Sequence, residues 1–188
     1  MTYQRRDPLL GHNFSVSLID SKDEDDAGFG LGTIALSTAG LRTMASFSEV
    51  SGLEISMDVE EYSAGGFNEA VLRFPGRTKQ TNLVFKRGVL AKRDPMDSSD
   101  LWTWVEAYLD GHGVRKDGII VLHDGAGKPT LTWSFRRGLP LRWSGPSLHA
   151  QRGEVAMESI EVAHEGLRLV RSGGVLGQAI SSAIDAIF

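Results

Sequence analysis

The sequence predicts a mainly β protein with one helix in mid-chain and an apolar helix at its end. Three observations carry that reading. Apolar and polar residues alternate with period two in several segments, the pattern of half-buried strands. The segment DLWTWVEAYLDG, residues 100–111, instead places Leu101, Val105, Tyr108 and Leu109 on one helical face. After Ser172-Gly173-Gly174, apolar residues recur at intervals of three and four to the end of the chain.

Taken in order, Phe14, Val16 and Leu18 alternate with Asn13, Ser15 and Ser17 and predict the first strand. Residues 20–32, DSKDEDDAGFGLG, are acidic and glycine-rich and predict a solvated loop. The cleanest alternation follows from about Phe47: Leu53, Ile55, Met57 and Val59 against Glu54, Ser56, Asp58 and Glu60. Residues 82–87 return as a strand. Asp100 and Gly111 are the expected N-cap and C-cap of the helix. Residues 119–123 and 130–135 predict a hairpin around Asp124-Gly125-Ala126-Gly127, and Leu139, Leu141 and Trp143 form another alternating run. Residues 154–170 predict one long strand with a bulge or break near Gly166. The organisation expected is one domain over residues 1–171 and a glycine-hinged amphipathic tail over 172–188.

Bulk properties exclude several function classes. A chain of 188 residues is the length of one ordinary domain. Its net charge of -4 recruits no nucleic acid by a general basic field. The absence of cysteine rules out disulfides, thiolate metal sites and cysteine nucleophiles. The opening MTYQRRDPLLGHNF lacks the apolar core of a signal peptide, and no run approaches the ~20 apolar residues that span a bilayer. Synthesis in the cytoplasm without membrane insertion is expected, with any export performed by another machine.

Motifs for chemistry are sparse. Gly125 to Thr130, GAGKPT, resembles the tail of a phosphate loop, but Pro129 follows Lys128, His123 occupies the place of the first glycine, and a strand comes next. A hairpin turn is the better reading. The run Asp23, Glu24, Asp25, Asp26 lacks the alternating ligands of a calcium loop. The five histidines show no zinc spacing, and His164-Glu165 reads as a polar pair across strands. Of Trp102 and Trp104, on opposite sides of the helix, one is expected in the core. No catalytic residue, metal ligand or cofactor motif stands out, and no enzyme is expected.

The surfaces are more informative. Residues 60–88, EEYSAGGFNEAVLRFPGRTKQTNLVFKRG, place Glu60 and Glu61 before a glycine pair, Gly65-Gly66, and Arg73, Arg77, Lys79, Lys86 and Arg87 after it. Tyr62, Phe67 and Phe74 add aromatic surface, which is enriched where partners dock. An acidic and a basic limb in one protruding hairpin suit contact with another copy of the chain; an ordinary mobile hairpin and an anion cradle at Arg77 and Lys79 are the competing readings. The tail's apolar face, Val175, Leu176, Ile180, Ile184, Ile187 and Phe188, must be buried on the domain or on a partner.

The blocks DPLLGHNFSVSL, FSEVSGLEISMDVEEYSAGGFNEAVLRFPGRTKQTNLVFKRGV, LWTWVEAYLDG, DGIIVLHD, FRRGLPLRWSGPSL and ESIEVAHEGL occur in an order that resembles the tail tube proteins of contractile phages and extracellular contractile injection systems. The resemblance covers residues 7–170. It implies two packed antiparallel sheets forming a small barrel or sandwich with a flanking helix. It further implies six copies in a ring whose sheets join into an inner barrel, with rings stacked into a tube inside a sheath on a baseplate. The cargo so implied is DNA or a protein effector. In that frame residues 60–79 form an inter-subunit loop, the Phe74-Pro75-Gly76-Arg77 turn leads into the next strand, and Glu54, Ser56 and Asp58 line the lumen. Residues 20–32 and the tail depart from the pattern, which keeps a tube-initiator ring open beside the tube body. A baseplate adaptor or an anion-binding module is the alternative of another class.

Overall fold

The computed structural model describes residues 8–21, 47–63, 70–89 and 100–170. Most of the acidic segment, Gly65, Gly66 and Phe67 of the glycine loop, the tail residues Val175, Leu176, Ile180, Ile184, Ile187 and Phe188, and the expected boundary at 171/172 lie outside the described residues.

The elements are β1 (Phe14–Asp20), β2 (Phe47–Ser51), β3 (Ile55–Tyr62), β4 (Leu72–Gln80), β5 (Leu83–Gly88), α1 (Leu101–Leu109), β6 (Lys116–His123), β7 (Pro129–Ser144), β8 (Met157–Ala163) and β9 (Gly166–Val170). All pairings are antiparallel. The first sheet runs β1-β6-β7-β9, and the second runs β7-β8-β5-β2, with the 16-residue β7 belonging to both. β3 and β4 form a separate two-stranded ribbon.

The two alternating runs expected at 130–135 and 139–143 are therefore one strand. It changes sheets at Arg137, whose φ of 49° is left-handed, and Gly138, where a Cβ would lie 2.8 Å from the Lys116 carbonyl oxygen. Asp117 holds the corner by accepting a 2.7 Å hydrogen bond from the Arg137 N–H. In the run expected at 154–170 the break expected near Gly166 is present, and it divides the run into two strands. β8 pairs with β5 and β7 in the second sheet, and the break at His164-Glu165 carries the chain to β9 in the first. The result is a sandwich with a shared strand. Among the described residues it does not close into a barrel: β1 and β9 flank the first sheet, and β2 ends the second.

The core lies between the sheets. Val16, Leu18, Ile120, Phe135 and Leu167 of the first face Phe47, Leu83, Phe85, Ile160 and Val162 of the second. Helix α1 adds Leu101 and Trp104 to that cluster. Asp100 caps the helix by accepting from the Trp102 N–H, and Gly111, at φ 79°, ends it. Trp104 is buried and donates its Nε1–H to the Val114 carbonyl at 2.9 Å. Leu109, expected on the buried face, is exposed. Trp102 packs edge-on against Trp143 with ring centres 4.8 Å apart.

One ionic cluster sits inside this apolar frame. Arg87, 2% exposed, donates its Nε–H to Glu158 at 2.7 Å and an Nη2–H to Asp100 at 3.2 Å. Glu158 also accepts from the Trp143 indole at 3.1 Å. Since Asp100 caps α1, this cluster ties β5, β7, β8 and the helix together.

Candidate assembly interface

Where the sequence alternates most cleanly, the structure buries nothing: every residue of β3 is exposed, and all but one of β4. The expected half-buried strand is instead one limb of a free ribbon, and the run from Phe47 to Tyr62 is broken. Gly52 breaks it. Its φ is 88°, and a Cβ there would stand 2.1 Å from the Asn82 carbonyl oxygen, so the chain leaves β2 for β3 only because the residue is glycine.

The register pairs Ser56 with Lys79, Met57 with Thr78, Val59 with Pro75, Glu60 with Phe74, Glu61 with Arg73 and Tyr62 with Leu72. Phe74-Pro75-Gly76-Arg77 is therefore mid-strand rather than a turn. Gly76-Arg77 supplies an extra residue opposite Asp58, a bulge where a Cβ on Gly76 would stand 3.0 Å from the Asp58 carbonyl oxygen. Side chains alternate across the ribbon. One face carries Ile55, Met57, Val59 and Glu61. The other carries Ser56, Asp58, Glu60 and Tyr62, with Lys79, Phe74 and Leu72 from β4. The apolar members Ile55, Met57, Val59, Tyr62, Leu72 and Phe74 are between 41% and 60% exposed.

The charges of this ribbon are spent largely within it. Arg73 pairs with Glu61 at 3.2 Å and Lys79 with Asp58 at 2.8 Å. The acidic and basic limbs read from the sequence thus complement each other across the hairpin, and Lys79 is no open anion cradle. Glu60 and Arg77 have no ion-pair partner among the described residues.

The ribbon's base is gripped by the sandwich. Asn82 Nδ2–H donates to Glu161 at 2.7 Å. His164 meets the Thr81 carbonyl oxygen through Nε2 at 3.1 Å; a carbonyl only accepts, so Nε2 carries the proton. His164 Nδ1 is buried with no partner among the described residues. Burial depresses the pKa of this ring, against a smaller opposing effect of the hydrogen bond to Thr81. His164 and Glu165 are not the polar pair expected: Glu165 instead pairs with Arg115 and Arg137.

The glycine segment after β6 is the expected hairpin turn. Gly127 has φ 81°, and Asp124 Oδ1 accepts from the Ala126 and Lys128 N–H groups at 2.9 Å each. No group of three or more metal-ligating side chains occurs among the described residues, and no helix there is long and apolar enough to cross a membrane.

A second surface has no counterpart in the sequence reading. On the solvent side of the second sheet, register aligns Glu49 with Lys86 and Ser159, and Val84 with Glu161 and Arg142. Lys86 and Glu49 pair at 2.9 Å. The signal lay in the alternation of Ser159 and Glu161 within MESIEVA, but four strands had to be brought together before a continuous polar face existed.

Comparison with curated protein sequences finds no match. Solved structures do match. The chain is similar to one in the cryo-EM structure of the anti-feeding prophage baseplate, 6-fold symmetrised, with 21% identity, coverage of 89% of this chain and 98% of that one, and a TM-score of 0.67. It is also similar to a chain in the sheath-tube complex of the PVC extracellular contractile injection system in its extended state, with 24% identity, coverage of 87% and 92%, and a TM-score of 0.64. A chain in the PVC sheath/tube terminator shares 24% identity over 88% and 98%, with a TM-score of 0.65. These likenesses establish the fold. The model of the T4-like virus tail tube protein gp19 family matches residues 11–168, nearly the whole sandwich and its ribbon, and the chain belongs to that tail tube family.

Proposed function

We propose that this protein is a structural, non-enzymatic subunit of the inner tube of a contractile tail or injection system, forming hexameric rings that stack into a hollow conduit within a sheath. The observation that carries this reading is the β3–β4 ribbon. A two-stranded hairpin with apolar side chains bare on both faces is marginal in water and is stabilised by docking. Family membership supplies the partner class, and the 6-fold symmetrisation of the similar anti-feeding prophage baseplate supports the ring number.

In this assembly residues 60–79 are the inter-subunit arm. The open edges of the second sheet, β2 and the end of β7, continue the sheet into neighbouring subunits. Glu54, Ser56 and Asp58 face the water of the lumen, joined there by the polar face bearing Lys86, Ser159, Glu161 and Arg142. The tail's apolar face, Val175 to Phe188, contacts sheath or baseplate proteins. The cargo passing through is a protein effector or DNA.

Electron microscopy of the purified protein tests the reading: stacked six-fold rings are expected, and monodisperse monomers at high concentration would overturn it. A tube-initiator ring at the baseplate is the second reading. It is favoured by the residues that follow the family match, 169–188, and single unstacked rings would select it.

A further inference from the structure

His164 lies in the break between β8 and β9, where the chain crosses from the second sheet to the first, and it meets the ribbon where the ribbon leaves the body. Only Thr81 and Asn82 separate β4 from β5, so their placement sets the direction of the ribbon. Thr81 donates its N–H to the Glu54 carbonyl of the other limb at 3.4 Å, and its own carbonyl accepts the Nε2–H of His164 at 3.1 Å. On its other side the imidazole lies against Phe135 of the core, with ring centres 6.1 Å apart. One ring thus links the base of the ribbon to the centre of the sandwich.

With its proton on Nε2 the neutral ring fits this place. A second proton has to sit on Nδ1, which is buried and has no acceptor among the described residues. The charged groups around the ring are engaged elsewhere. Glu161 of β8 accepts from Asn82, and Glu165 is held by Arg115 and by Arg137 of β7. On the ribbon, Lys79 pairs with Asp58, while Glu54 is exposed and meets Thr81 through its carbonyl. An ionised ring would donate more strongly to Thr81, but burial of the charge outweighs that gain. Water is then the acceptor left for an Nδ1–H. Both nitrogens belong to one rigid ring, so turning Nδ1 outward takes Nε2 off the Thr81 carbonyl.

We propose that His164 is an acid-operated release on the ribbon: the neutral ring clamps Thr81 and fixes the ribbon in its docking direction, and the protonated ring lets go, so that acid lowers the fraction of subunits able to assemble. This rests on the reading of the ribbon as the inter-subunit arm and adds a regulation of it. Coupling of this kind is reciprocal. Docking holds the clamped state, so a docked subunit takes up the proton at lower pH than a free one.

The test measures the lowest protein concentration that gives sedimentable assemblies at about pH 7.5 and about pH 5, values that bracket the ordinary imidazole pKa. The full chain is compared with His164→Gln, whose amide can still donate to Thr81 but does not titrate. In the parent the threshold is expected to rise about threefold or more towards acid, one proton allowing at most about tenfold per pH unit. In the variant the two thresholds stay equal. A second measurement needs neither the variant nor assembly: in dilute, unassembled parent, acid is expected to lower amide-exchange protection at Thr81 and Glu54 by a similar factor, with the β6 and β8 amides unchanged. Equal thresholds in the parent, a variant that keeps the parent's rise, or protection at Thr81 and Glu54 that is unchanged or lost together with that of β6 and β8 would overturn the release. A parent that forms no assembly at either pH would instead sink the tube reading, and the exchange result would still decide the clamp.

Discussion

Arg87→Met removes the cation that hydrogen bonds hold between Glu158 and Asp100 in the core, at 2.7 and 3.2 Å. Arg87 is 2% exposed and Glu158 1%, so solvent does not replace the lost partner. Breaking a buried ion pair from one side costs about 3–5 kcal/mol. At about 2–4 °C per kcal/mol for a domain of this size, the melting midpoint falls by roughly 6–20 °C. The double variant Arg87→Met with Glu158→Leu removes both charges of the Arg87–Glu158 pair and recovers part of that loss, since apolar side chains of similar volume replace a buried ion pair at little cost while Asp100 still loses its bond from Arg87. A deficit of about 1 kcal/mol or more persists because the Trp143 indole loses its acceptor and Asp100 loses its bond from Arg87. Asp100 keeps its cap bond to the Trp102 N–H in both variants. Urea unfolding of unassembled protein, followed by tryptophan fluorescence, reads these differences, as Trp102 and Trp143 adjoin the cluster. A single variant within about 1 kcal/mol of the parent, or a double variant no more stable than the single, would refute the reasoning.

Gly52→Val forces a side chain into left-handed backbone, at roughly 1–2 kcal/mol, and onto the Asn82 carbonyl oxygen. The expected outcome is a lower urea midpoint together with loss of assembly as the arm is re-aimed; an unchanged midpoint and intact tubes would show that the hinge is not required. For His164 the depressed folded pKa sets the sign. Above the unfolded value of about 6.5 the ring is neutral in both states. As pH falls below it, the unfolded chain takes up the proton first, and stability drops until the folded value is passed. Unfolding free energies measured from about pH 7.5 to about pH 5, a span that brackets the unfolded value, should therefore fall more steeply in the parent than in His164→Gln. Parallel curves would count against the buried Nδ1 as the cause.

Much of the fold was legible because strand burial leaves a local trace. Val16 and Leu18, Leu131 to Phe135, and the cap residues around α1 each signal their structure within a few positions of the chain. The same logic misled at β3. Its alternation of Ile55, Met57 and Val59 with Ser56 and Asp58 is that of a half-buried strand, but alternation marks an apolar face without supplying the surface that would cover it. Among the described residues no part of the sandwich covers that face. Likewise Phe74-Pro75-Gly76-Arg77 has turn composition, yet lies mid-strand because its glycine serves a bulge against Asp58.

The sequence by itself determined the mainly β class, the helix at 101–109, the absence of cysteine chemistry, and, through the order of its blocks, the tail tube resemblance. Tertiary structure decided which strands share a sheet, that β7 serves both, that Arg87 is buried between carboxylates, and that Arg73 pairs with Glu61 and Lys79 with Asp58 across the ribbon. Those facts depend on pairs such as Arg87–Glu158 and Asn82–Glu161, which lie 71 and 79 residues apart in the chain. Period and propensity act over neighbours, whereas register, burial and ion pairing are set only when distant strands meet.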